Sequence, residues 1–165
     1  MSYKVTFEKG GFSFNSLPEK DLKNFINNFS KSKHVLRNPK NILKKKSWRN
    51  YSFFGDIGED GEYYSNPREN DFYDGDKEHS ILDFNAPPVT QPSCWCNWVI
   101  KNNQLTWNGN SDFDNFAEWL DYLIDNFFRP RGYELNGKLN YQGEDPDDYG
   151  YVSIDKNIVT LGRIK

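Results

Sequence analysis

The sequence predicts an α+β fold: an antiparallel β-sheet packed against two long amphipathic helices plus one short helix. Three observations predict it. Short runs alternate apolar and polar residues between turn-forming dipeptides, the period-2 pattern of half-buried strands. Two longer runs place apolar residues at i, i+3, i+4, i+7 behind a capping residue, the pattern of an amphipathic helix. And 17% of the 165 residues are aromatic. Each buried ring removes roughly 150–250 Å² from water, so a modest number can hold one domain together. That supply exceeds the needs of one core, and some rings are expected on the surface.

From the N-terminus, Tyr3, Val5 and Phe7 alternate with Lys4, Thr6 and Glu8, which predicts a strand. Gly10-Gly11 predicts a turn or a bulge, after which Phe12-Ser13-Phe14 continues or pairs back. Ser16, Pro18 and Glu19 form a helix-start signal. Leu22, Phe25, Ile26 and Phe29 supply the apolar stripe of a helix over about 17–30. Asn38-Pro39 restarts a shorter helix with Ile42, Leu43 and Trp48 on its apolar side. Residues 51–54 and 62–65 read as strands around a Gly/Asp-rich turn. Residues 66–80 are polar, acidic and aperiodic, and read as an exposed loop. Ile81 to Phe84 is a short apolar element, followed by a stretch stiffened by Pro87, Pro88 and Pro92.

Cys94 to Ile100 predicts a strand, Asn102-Asn103 a hairpin turn, and Gln104 to Trp107 its return strand. Ser111-Asp112 caps a second helix with the stripe Phe113, Phe116, Leu120, Leu123, Ile124 and Phe127, ended by Pro130 and Gly132. Strands at about 133–142, 149–155 and 158–163 close the chain. Asn136-Gly137 is a competing hairpin signal, but one strand with a bulge is the preferred reading. Residues 3–29 and 95–128 both read strand, turn, strand, cap, helix, a weak internal echo. The whole is expected as a single domain: a charged half over 1–65, the acidic loop 66–80, and a ββαβββ half over 81–165.

Cys94 and Cys96, two apart on a predicted strand, share a face with Cα atoms about 6.5–7 Å apart, near the upper limit for a disulfide. They are expected as reduced core thiols. Only His34 and His79 could join them around a metal, so no metal and no cofactor is predicted. The N-terminus lacks the apolar stretch of a signal peptide, and no run approaches the roughly 18–20 apolar residues of a membrane span. A cytoplasmic location in a bacterial host cell, with no membrane partner, is the expectation.

The net charge of −3 hides a strong segregation. Between Lys23 and Phe54 there is no acidic residue but nine basic ones, among them Lys40, Lys44, Lys45, Lys46 and Arg49. From Asp56 to Asp83 ten acidic residues, including Glu59, Asp60 and Glu62, stand against two basic ones. Such blocks are either solvated faces or surfaces for a macromolecule of opposite charge. Catalysis needs a positioned nucleophile, a tuned acid or base, a metal or a cofactor. No spacing selects one, so the chain is read as a non-enzyme. The Asp-rich stretches 71–76 and 144–148 leave a metal-dependent hydrolase as an alternative.

Pro87-Pro88, Gln91-Pro92-Ser93, Trp95, Cys96 and Trp98, then Glu118-Trp119-Leu120 through Tyr122-Leu123-Ile124, Gly132-Tyr133, Leu135-Asn136-Gly137 and Gln142-Gly143-Glu144-Asp145 resemble small uncharacterised proteins of phages and mobile elements of Gram-positive bacteria. The likeness covers about 81–160 and implies architecture, not activity. In size, acidity and Lys/Asn-rich character the chain also resembles staphylococcal type II anti-CRISPR proteins. That resemblance implies a protein that binds an RNA-guided nuclease and blocks DNA binding or cleavage. The expected partner is therefore a protein, such as a CRISPR-associated nuclease with or without its guide RNA. The expected contact residues are Lys40, Lys44, Lys45, Lys46, Trp48, Arg49, Glu59, Asp60, Glu62, Tyr63 and Tyr64. A nucleic-acid-binding accessory protein using the basic 31–49 segment is the second reading.

Overall fold

The structure is a computed structural model that describes residues 3–37 and 81–163. Its strands are β1 (Val5–Phe7), β2 (Phe12–Phe14), β3 (Leu36–Arg37), β4 (Ile81–Asp83), β5 (Trp98–Lys101), β6 (Gln104–Trp107), β7 (Leu135–Gly143), β8 (Tyr149–Asp155) and β9 (Ile158–Arg163). Its helices are α1 (Lys20–Lys31) and α2 (Phe116–Leu123), the latter running on through a π turn, Ile124–Phe128, and a 3-10 turn, Arg129–Arg131. The chain divides into two compact units, one of residues 1–23 with 97–165 and one of residues 24–96.

This corrects the expected fold class. Among the described residues a seven-stranded, mostly antiparallel sheet dominates, accompanied by two helices, one of 16 residues and one of 12. Neither is long, and both start later than the sequence signals. Ser111 and Asp112, read as a helix cap, lie instead beside the first strand. The Val5 amide donates to the Ser111 carbonyl at 2.8 Å and the Phe113 amide to the Tyr3 carbonyl at 2.9 Å. Satisfying backbone groups in strand pairing left α2 to begin only after Asn115, which holds a left-handed φ of 57°. At α1, Ser16 stays outside the helix and the Glu19 amide donates to the Tyr133 hydroxyl at 3.0 Å. The short helix predicted from Asn38, the strands at 51–54 and 62–65 and the loop 66–80 lie outside the described residues.

In the first unit the sheet order is β5-β6-β2-β7-β8-β9, with β1 also on β7. β1 and β2 are one strand interrupted by a bulge. Phe7 pairs with Tyr141 and Ser13 with Asn136, so six residues on one side span five on the other. The extra residue sits around Gly10, whose φ of 130° a side chain disfavours. The segment therefore continues past Gly10-Gly11 instead of turning back, and 3–29 does not repeat 95–128. Strand β5 starts at Trp98, not Cys94, and no disulfide joins Cys94 to Cys96.

The C-terminal meander lies where the sequence placed it. β7 is a single strand through Asn136-Gly137, and β8 and β9 turn at Lys156 and Asn157, both at positive φ. Asn157 is buried, and its side chain bonds to the Leu135 amide at 2.7 Å and the Tyr133 carbonyl at 2.9 Å. The core on the inner face is aromatic. Trp98 has no exposed surface, lies against Phe7, Phe12 and Phe113, and donates its indole N–H to the Phe116 carbonyl at 3.0 Å. The π turn adds a residue to the last helical turn, so Phe127 and Phe128 are both buried alongside Leu123 and Ile124.

In the unit 24–96, Phe25, Ile26 and Phe29 of α1 are buried, and β3 pairs with β4. No described helix is long and apolar enough to cross a membrane.

Candidate functional site

The eleven predicted contact residues, Lys40 to Tyr64, lie outside the described residues, as does His79. The described members of the basic block take separate roles. Lys31 is exposed at the end of α1, and the Lys33 ammonium stands 3.7 Å from the centre of the Phe84 ring. His34, weighed from sequence as a possible metal partner of the cysteines, is fully buried. Its Nε2 lies 2.8 Å from the Phe29 carbonyl, its ring packs on Phe29, and its amide donates to the Cys94 carbonyl at 2.7 Å. This is a histidine that joins segments of a core.

The acidic stretch 144–148 closes the β7–β8 connection. The Tyr3 hydroxyl donates to Asp148 Oδ2 at 2.5 Å, and Arg163 Nη1 approaches Oδ1 of the same carboxylate at 3.4 Å. The Gln142 amide spans the carbonyls of Gly143, Asp145 and Asp148. Burial, then the bond to Asp148, holds the Tyr3 hydroxyl well above the ordinary tyrosine range. Tyr141 is raised as well, by burial first and by Asp148 second. Lys4 is raised through its bond to Asp112. Asp148 thus serves the fold. Among the described residues no group of three or more His, Cys, Asp or Glu side chains could hold a metal ion.

The site that the geometry does form was not singled out from the sequence. It is an open cleft of about 440 Å³ where β6 parts from the N-terminal strand. β2 pairs with β6 at Phe12 and Ser13. Beyond Phe12 the bulge turns the chain aside, and Gly11 lies so close to β6 that a Cβ there would stand 2.6 Å from the Leu105 carbonyl oxygen. The gap is lined by Phe7, Glu8, Lys9 and Gly10 on one side and by Lys101, Asn102, Gln104, Thr106 and Trp107 on the other.

Each lining group is set by its local structure. Glu8 faces Asn140, accepting from its amide at 2.9 Å and from Nδ2 at 3.3 Å, so both carboxylate oxygens are engaged. Asn102 and Asn103, at φ 54° and 60°, close a tight hairpin that sets Lys101 opposite Gln104. The indole N–H of Trp107 donates to the Asn110 carbonyl at 2.8 Å, which fixes the ring 5.6 Å from that of Phe7. Lys9 and Lys101 are exposed and form no ion pair among the described residues. The cleft thus offers two ammonium groups against one carboxylate, two side-chain amides and the rings of Phe7 and Trp107, a net positive lining suited to an anion with a flat apolar part. Two signals could have found it: paired glycines inside an alternating strand, which mark a bulge, and basic and amide residues flanking Asn102-Asn103.

No protein-family model, curated protein or solved structure matches the chain. Nothing among these comparisons links it to phage proteins or to anti-CRISPR proteins.

Proposed function

We propose that the chain is a non-enzymatic, protein-binding inhibitor from a phage or mobile element that acts against host defence, blocking an RNA-guided DNA nuclease by charged-surface contacts. The observation that carries this reading is charge segregation. Nine basic residues without an acidic one precede ten acidic residues against two basic ones. The blocks from Lys31 to Asp83 fall within the unit 24–96. Opposite charges gathered in sequence-adjacent blocks steer association with a macromolecule that carries the complementary pattern and disfavour wrong partners.

The test is a titration of a type II RNA-guided nuclease, loaded with its guide, against the full chain. Cleavage of target DNA falls linearly and ends at a fixed stoichiometry. Capture on the immobilised chain from a staphylococcal lysate at moderate salt recovers the nuclease or another defence protein. Undiminished cleavage at large excess, together with capture of no defence protein, overturns the reading.

A further inference from the structure

We propose that the cleft at the strand bulge binds single-stranded nucleic acid, one base lying against Trp107 and the adjoining phosphates meeting Lys9 and Lys101. This goes beyond the inhibitor reading and rests on different residues.

Charge complementarity supports an anion. The one acidic side chain in the lining, Glu8, is held by Asn140 through both oxygens and leaves the two lysines in excess, a net charge of about +1. The two lysines are exposed and form no ion pair among the described residues. The rings narrow the choice further. An acidic peptide would need only the lysines, whereas Trp107, held by Asn110 and beside Phe7, puts an aromatic ring in the lining against which a base could lie. Gln104 and Asn102 add amides that both donate and accept, as base edges require. A volume of about 440 Å³ falls in the range of small-ligand pockets, roughly 300–1,000 Å³. Stacking on an aromatic ring beside a basic groove is the usual way in which proteins hold unpaired strands. In a duplex the base faces are already stacked and cannot lie against such a ring.

The surroundings extend the site. Strand register places Lys101, Gln104, Ser13 and Asn136 in one row across β5, β6, β2 and β7. That row carries no acidic residue. It lies on the outer face of the sheet, whereas Trp107, opposite Trp98, belongs to the inner face and borders the cleft at the gap between β6 and the N-terminal strand.

Fluorescence anisotropy of labelled oligo-dT and oligo-U with the full chain tests this. Binding at low salt is expected, weakening as salt rises. Lys9→Gln with Lys101→Gln lowers the affinity about ten-fold or more and reduces the salt slope by about 1.4, the counterion release of two phosphate contacts on a single strand. Lys20→Gln with Lys156→Gln, an equal loss of charge elsewhere, changes affinity by no more than about two-fold. Trp107→Leu weakens binding at least about five-fold through lost stacking, with circular dichroism confirming the fold. If it does not fold, the lysine pair decides, since both side chains are exposed. Absence of binding at low salt overturns the proposal. So does binding that the Lys9/Lys101 change leaves intact, which would assign it to another surface such as the basic 31–49 segment. Competition by poly-glutamate as effective as that by the oligonucleotide overturns it in favour of an acidic protein face.

Discussion

The two faces of the seven-stranded sheet use aromatic residues in opposite ways. On the inner face, Phe7, Phe12, Trp98, Phe113 and Phe116 pack ring against ring and are buried. On the outer face, Tyr151 is half-buried, lies over Gly162 and carries the Lys138 ammonium 4.4 Å from its ring centre. Tyr149, two residues earlier on the same strand, shares that face. The described aromatic residues of the sheet are thus divided, dry on one side and amphipathic on the other. The difference teaches that strand alternation, not residue type, decides which rings hold the fold together and which remain available for contact.

The comparison is sharpest at Trp98. Replacing it by Ala removes a fully buried ring and leaves the Phe116 carbonyl without its donor, and is expected to cost about 3–5 kcal/mol. Chemical denaturation reads this as a large fall in midpoint. A loss below about 1 kcal/mol would show that the inner face is not the core. Gly11→Ala forces a Cβ against the Leu105 carbonyl and Thr106 and is expected to cost about 1–3 kcal/mol. An unchanged melting temperature would break the account of the bulge.

Tyr3→Phe deletes a hydrogen bond to a carboxylate, and about 1.5 kcal/mol is expected to be lost at neutral pH. Because the folded hydroxyl titrates above the unfolded one, its stabilising contribution is complete below the ordinary tyrosine value of about 10 and fades as pH rises through the elevated one. The difference between wild type and Tyr3→Phe should therefore shrink only in alkali. On the outer face, Tyr151→Ala should cost no more than about 1 kcal/mol, a cross-strand contact's worth. A loss matching that of Trp98→Ala would erase the distinction between the faces.

The smallest effect is a gain. Burial, then Asp125, then Glu118 raise the pKa of Asp121 on α2. Its charge therefore destabilises the fold at neutral pH, and Asp121→Asn should add about 0.3 kcal/mol by relieving like-charge neighbours. A raised carboxyl favours the fold most below its unfolded value. The advantage of Asn should accordingly vanish as pH falls below about 4. Thermal melts at two pH values check this.

Legibility followed the range of the interactions involved. The β8–β9 turn was readable because Asp155-Lys156-Asn157 supplies residues that tolerate positive φ, and the hairpin at Asn102-Asn103 for the same reason. The buried stripe from Phe113 to Phe127 was readable from its spacing. The start of α2 was not. Ser111-Asp112 has the local chemistry of a cap, yet pairing with a strand more than a hundred residues earlier claimed its backbone. The cleft was not legible either, since Lys9 and Lys101 are far apart in the chain and meet only because β2 lies between β6 and β7.

The sequence by itself determined the meander of the last three strands, the tight hairpin turns, the apolar stripes of the helices and the segregation of charge. All of these depend on neighbours within a few residues. Only the tertiary structure decided that Gly10-Gly11 is a bulge within one strand, that His34 is a core residue, and that two distant lysines line one cleft with Trp107. Each of those depends on which strand lies beside which, a choice made by packing the aromatic inner face as a whole.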